Sequence, residues 1–135
     1  MFDTKIAIIV RDDLQTWQKL NVTAFLASGI AGANPDIIGQ KYTDADQRDH
    51  LALSIQPVIV LTGAANVLTN IRNRANDRDV PTAVYIEEMF TTGHDDANRA
   101  VFSEHGASES NTVGVALRAD KKIVDKITKG AKMHG

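Results

Sequence analysis

The chain has 135 residues, 43% of them hydrophobic and 24% charged, with a formal net charge of −2. That length supports a single domain with its own core over residues 1–135, and the acidic balance excludes a global positive field for nucleic acid. The absence of cysteine excludes disulfides, thiolate metal sites and a cysteine nucleophile, and it suits a reducing cytoplasm, the expected location.

"MFDTKIAIIV" lacks the basic start and small-residue cleavage site of a signal peptide. Lys5–Arg11 is a β-branched apolar run that reads as a strand buried on both faces. A helix follows, with Asp13 or Thr16 as its cap. Trp17, Leu20, Ala24, Ala27 and Ala31 form one apolar stripe that Val22, Phe25 and Leu26 widen, so the helix is expected to pack deep against a sheet. Gly29, Gly32 and the "GANPD" run are expected to end it. Its apolar stretch is shorter than the roughly 20 residues a membrane span needs, so no membrane partner is expected.

Thr43–His50 is polar and reads as a loop, and Pro57–Gly63 as a second buried strand. Val67, Leu68, Ile71 and Ala75 mark the next helix. Val80–Met89 is a third strand, entered through Pro81. Residues 90–110 read as a long polar loop. Asn111–Arg118 is a fourth strand, and Asp120 caps a last helix with Ile123, Val124, Ile127 and Ala131 on its apolar side. Strands alternating with helices define an α/β class: three layers, α/β/α, around a small four-stranded sheet, mostly parallel or mixed.

Ligands on such sheets bind beyond the carboxyl ends of strands. Arg11, Asp13, Glu87, Glu88 and Arg118 all fall near strand ends, and they share a site only if those strands are neighbours running the same way. Lys19 beside a carboxylate, with Thr91 to orient water, is a constellation suited to holding a developing oxyanion. The plainer reading makes Asp13 a cap, Lys19 a surface lysine and Glu87 an edge carboxylate.

Asp44, Asp46, Asp49 and His50 have oxygen-rich spacing, but no glycine stands sixth and Ile55 stands twelfth, so the calcium-loop pattern fails and Asx turns explain the segment. His94, Asp95, Asp96, Glu104 and His105 read as a solvated lid, because nothing places both histidines on one helix face. No metal site and no cofactor are expected. Lys122, Lys126 and Lys129 share the face of the last helix and read as a solvated surface. No Walker loop, G-x-G-x-x-G, G-x-S-x-G or H-E-x-x-H occurs.

"TVGVALRADKKIVDKITKGAKM" resembles the end of type 2 peptidyl-tRNA hydrolases, with Thr112, Val113, Asp125, Lys126, Thr128 and Lys132 in register. Upstream, Val80, Pro81, Thr82, Ala83 and Thr91 match that family's G-L-P-T-A-x-x-x-D-A-G-x-T-Q segment, with Glu87 on its aspartate. Val10, Arg11, Asp13 and Leu14 match its strand-R-x-D-L opening, and Lys19 lies near its lysine after a one-residue shift. The chain departs from the pattern at Gln18, at Val22 to Phe25, at Glu88 and Met89, and in a longer segment between Thr91 and Thr112. The stretch with Tyr42, Asp44, Ala45, Asp46 and His50 more closely resembles a bacterial offshoot of that superfamily, the domain of unknown function 2000 family, which has no established activity.

The resemblance implies a type 2 peptidyl-tRNA hydrolase-like fold. It also implies hydrolysis of an ester joining an acyl or peptidyl group to a nucleotide. Lys19 would stabilise the oxyanion, Glu87 pair with it and Thr91 orient water, while Arg11 and Asp13 bind substrate at the rim. The implied ligand is tRNA or a small acyl-nucleotide, and the implied assembly a homodimer. The alternative is a ligand-binding or regulatory homodimer on the same fold, without chemistry.

Overall fold

The computed structural model describes residues 2–109 and 111–135. Strict alternation in β1 (Thr4–Arg11) sets the layers. Ile6, Ile8 and Val10 point to one face and Ala7 and Ile9 to the other, and all five are at most 1% exposed. A strand buried on both faces belongs in the middle of a sheet, and β1 occupies that place.

Its neighbours are β4 (Val58–Gly63), parallel, and β6 (Thr112–Asp120), antiparallel. Beyond β6 lies β5 (Thr82–Ile86), antiparallel to it. The order is β5-β6-β1-β4-β7, where β7 (Lys132–Met133) is a two-residue antiparallel edge on β4. The sheet is therefore mixed and five-stranded, not four-stranded. The extra strand escapes the sequence because two exposed residues carry no periodicity.

Helix α1 (Thr16–Ala33) covers one face, burying Val22, Leu26 and Ile30. Helices α2 (Ala65–Asp77) and α4 (Lys121–Ile127) cover the other with Leu68, Ile71, Ala75, Val124 and Ile127. Each large aliphatic side chain among these contributes about 1.5–3 kcal/mol when fully buried. Gly114 of β6 lets α1 approach. A Cβ there would overlap Val22 Cγ1 and stand 2.8 Å from Leu26 Cδ1.

Several expectations change. The expected stripe on α1 is not the buried one: Trp17 and Leu20 are 55% and 67% exposed. The helix runs through Gly29 and Gly32 and stops at Asn34, just before Pro35. Its cap is Gln15, whose N–H donates to Gln18 Oε1 at 3.0 Å, and not Asp13 or Thr16. The third strand ends at Ile86, and Glu87–Thr91 form a 3₁₀ turn. The expected loop after it contains α3 (Asp95–Ser103), capped by His94 Nδ1, which accepts from the Ala97 N–H at 3.2 Å. Asp120 does cap α4, accepting from the Lys122 N–H at 3.0 Å. That helix ends at Ile127, so Ala131 and Lys129 lie beyond it.

Thr43–His50 is no plain loop but a hairpin of β2 (Tyr42–Thr43) and β3 (Asp49–His50), which form their own sheet. Asp44 Oδ1 accepts from the N–H groups of Asp46 and Arg48, and its Oδ2 bonds His50 Nε2 at 2.7 Å. The carboxyl is held below its usual pKa, chiefly by His50 and then by the Arg48 amide. Every residue from Gln40 to Leu51 is exposed.

Among the described residues, no helix is long and apolar enough to cross a membrane.

Candidate functional site

Because β1, β4 and β5 run the same way, their carboxyl ends share one edge of the sheet. Arg11, the last residue of β1, reaches along that edge. Its Nε donates to Asp13 Oδ1 at 2.5 Å and an Nη to Glu87 Oε1 at 3.0 Å. Burial alone would depress the guanidinium pKa, but the hydrogen bonds and charges of Asp13 and Glu87 more than offset it and hold it above its ordinary value. The three residues thus tie the β1–α1 turn to the turn after β5. Arg118 lies at the opposite end of β6, which runs the other way, paired with Ile6 and bonded to Gln56 and Asn34.

Lys19 and Thr91 bond elsewhere. Lys19 Nζ lies 3.2 Å from His134 Nε2, and a lysine ammonium can only donate. The pair closes a hollow of about 240 Å³ against Val10, Leu20 and Val60. Thr91 Oγ1 donates to the Glu88 carbonyl at 3.1 Å. Of the residues singled out by sequence, the structure therefore joins Arg11, Asp13 and Glu87.

Among the described residues, no three His, Asp or Glu side chains are grouped as a metal site. His105 Nε2 lies 3.7 Å from Glu88 Oε2, while Glu88 Oε1 is buried with no hydrogen-bond partner among the described residues.

Beside Glu87 lies a cleft that the sequence reading missed. One wall is α1, with Trp17, Asn21 and Phe25 at four-residue spacing. The other is formed by the 3₁₀ turn and α3, including Phe90 and Asn98, and Tyr85 of β5 forms the floor. Two hollows of about 270 and 430 Å³ share Phe25, Met89, Asp95 and Asn98, a size suited to a small organic ligand. The aromatic rings are in contact. Trp17 meets Phe90 edge-on at 5.9 Å, Tyr85 lies 5.2 Å from Phe90, and Phe25 lies 5.7 Å from Tyr85. Tyr85 is 5% exposed, and its hydroxyl has no hydrogen-bond partner among the described residues. Burial raises its pKa. The 17, 21, 25 spacing was the available signal.

This fold and edge define a mixed α/β protein with an open five-stranded sheet. The chain belongs to the DUF2000 family, described as proteins of unknown function, whose sequence profile matches residues 4–135. It is similar over its full length to a solved structure from Agrobacterium tumefaciens strain C58, described as the protein of unknown function Atu0240. The identity is 57%, the TM-score 0.99, and all of both chains is covered. No curated protein matches the chain.

Proposed function

We propose that the protein binds a small organic ligand in the aromatic cleft and does not turn it over. The observation that carries this reading is the lining of the cleft: Tyr85, its ring packed among other rings and its hydroxyl without a partner among the described residues, at the floor between solvent-exposed Trp17 and Phe25. A hydroxyl with no protein partner among the described residues, at the floor of an aromatic cleft, is available to a ligand acceptor, which would take the place of water there. Ester hydrolysis by Lys19, Glu87 and Thr91, with Arg11 and Asp13 at the rim, is the competing proposal. It requires Lys19 to leave His134 and Glu87 to leave Arg11. Peptidyl-tRNA incubated with the protein should release peptide no faster than with heat-denatured protein. Turnover abolished by Lys19→Ala would replace the binding reading with the hydrolytic one. NMR screening with small neutral compounds should shift resonances at the cleft, and shifts confined to another surface would refute the location.

A homodimer is the second part of the proposal, and the hairpin favours it. Leu51 is 85% exposed, Leu53 and Ile55 are each 59%, and Tyr42 is 55%. Tyr42 on the hairpin and Leu51, Leu53 and Ile55 just after it leave large apolar side chains uncovered, at the upper end of what monomers leave exposed. A two-stranded hairpin is also marginal alone, and its free edges suit isologous pairing with a second copy. Sedimentation equilibrium should show a dimer that the Leu51→Asp/Leu53→Asp variant converts to monomer with an unchanged circular dichroism spectrum. A monomeric parent at its highest soluble concentration would end this reading.

A further inference from the structure

The cleft's lining is specific enough to name a ligand class, an inference that rests on the binding role above. We infer that it takes an uncharged, planar heteroaromatic ring that presents a hydrogen-bond acceptor to the Tyr85 hydroxyl.

The first ground is ring geometry. Trp17, Phe25, Tyr85 and Phe90 form a chain of tilted and edge-on contacts. Aromatic pairs favour such offset and edge arrangements, and the outer members, Trp17 and Phe25, are still 55% and 52% exposed. A flat ring entering between them gains contacts that a puckered aliphatic one of equal size cannot make.

The second ground is polarity. The floor offers one donor with no partner among the described residues, the Tyr85 O–H. The Asn21 side chain at the wall has no partner among the described residues either, while the Asn98 carbonyl oxygen is taken by Thr92 Oγ1. A donor not taken by the protein favours a ligand that presents an acceptor in exchange for water, and a ring nitrogen or carbonyl supplies it.

The third ground is charge. The cleft's one arginine, Arg99, is paired with Asp95 at 2.7 Å, and its pKa is raised first by that hydrogen bond and then by the Asp95 charge. Asp96 follows Asp95 in the first turn of α3. The two acids outnumber the one arginine, so a phosphate would meet net negative charge there, and the ring is expected free and not as part of a nucleotide or nucleic acid strand.

The test uses the single tryptophan of the chain. Its indole N–H, bonded to Gln15 Oε1 at 3.0 Å, gives one resonance in a ¹H–¹⁵N spectrum. Quinoline, naphthalene, cyclohexanol, adenine and adenosine monophosphate are titrated in turn. Quinoline and naphthalene should shift the resonance saturably and cyclohexanol should not. Adenine should bind more tightly than adenosine monophosphate. Tyr85→Phe should weaken quinoline about three- to tenfold, the range of one neutral hydrogen bond, and leave naphthalene unchanged. Phe25→Ala, at a half-exposed helix position that tolerates truncation, should weaken both.

Cyclohexanol binding as tightly as quinoline would overturn the planar class while leaving the binding role intact. Tighter binding of adenosine monophosphate would overturn the uncharged class. Equal loss of quinoline and naphthalene in Tyr85→Phe would overturn the hydrogen bond. No shift from any probe, at the indole or at neighbouring cleft resonances, would overturn the class and the binding role together.

Discussion

Replacing Gly114 with alanine tests how α1 is seated on the sheet. An added Cβ would overlap Val22 Cγ1 and come within 2.8 Å of Leu26 Cδ1. Both side chains are at most 2% exposed, so neither can move aside into solvent. Overpacking of this kind costs about 1–3 kcal/mol. Alanine in a strand recovers roughly 0.5–1 kcal/mol relative to glycine, which leaves a net loss of about 0–2.5 kcal/mol, centred near 1, by difference of those ranges. For a chain of this length about 1 kcal/mol lowers Tm by roughly 3–4 °C. The decisive assay is a double-mutant cycle with Val22→Ala, followed by urea unfolding. Val22→Ala alone destabilises by removing buried methyl groups, but in the double variant the new methyl occupies the vacated space. The two effects should therefore fall short of their sum by about 1 kcal/mol or more. Strict additivity would refute the idea that Gly114 sets the approach of α1.

Other outcomes rest on the same kind of contact. Burial raises the Tyr85 pKa, so the folded state disfavours tyrosinate. This contribution lowers stability as pH rises from about 10, the unfolded value, through the raised folded value. In a Tyr42→Phe background, which leaves Tyr85 as the sole tyrosine, absorbance at high pH should show ionisation above the ordinary range, and ionisation within it would contradict the burial. The Asp44 pKa is lowered, first by its hydrogen bond with His50. Its contribution to the hairpin is present above about pH 4 and is lost as pH falls through the depressed value. Acid broadening of the Asp46 and Arg48 amide resonances should disappear in Asp44→Asn, and its persistence there would assign it to another group. Lys19→Ala removes the cation that holds His134, so amides of β7 should exchange faster with solvent, and unchanged protection would show that β4 pairing alone fixes the tail.

Legibility in the sequence depended on how far each signal reaches. The first strand was clear because its apolar run of β-branched residues needs two covered faces. The Arg11, Asp13 and Glu87 cluster is legible as three residues near strand ends, and the parallel directions of β1 and β5 bring them into contact. Helix α3 was hidden by composition. Asp95, Asp96, Asn98 and Arg99 make its sequence polar, and none of its residues is fully buried to impose a pattern. Lys19 is grouped with Glu87 by residue type and then by resemblance, and neither carries an angle. On a helix each residue turns about 100°, so Lys19 points roughly 200° away from Trp17. A lysine two positions from a cleft wall faces another part of the surface, and there it meets His134.

That angular argument also explains why the apolar stripe on α1 was misjudged. The helix is apolar on more than one side, so composition alone does not select the face that packs on the sheet. Three rows resolve it. Val22, Leu26 and Ile30 are four apart and buried. Trp17, Asn21 and Phe25 are also four apart and line the cleft. Thr16 and Leu20, with Lys19 and Thr23 beside them, close the hollow at His134. The wholly aliphatic row is the one committed to the core, where any polar group would need a partner. The row of aromatics interrupted by asparagine keeps its rings partly exposed and its amide available, which is the composition a ligand wall requires. Because both rows sit on one rigid helix, the depth at which Val22 and Leu26 meet Gly114 also fixes how far Trp17 and Phe25 stand from Phe90 and Tyr85. A change beneath the helix should therefore register in the cleft, and the Trp17 indole resonance of Gly114→Ala is expected to shift even with no ligand present.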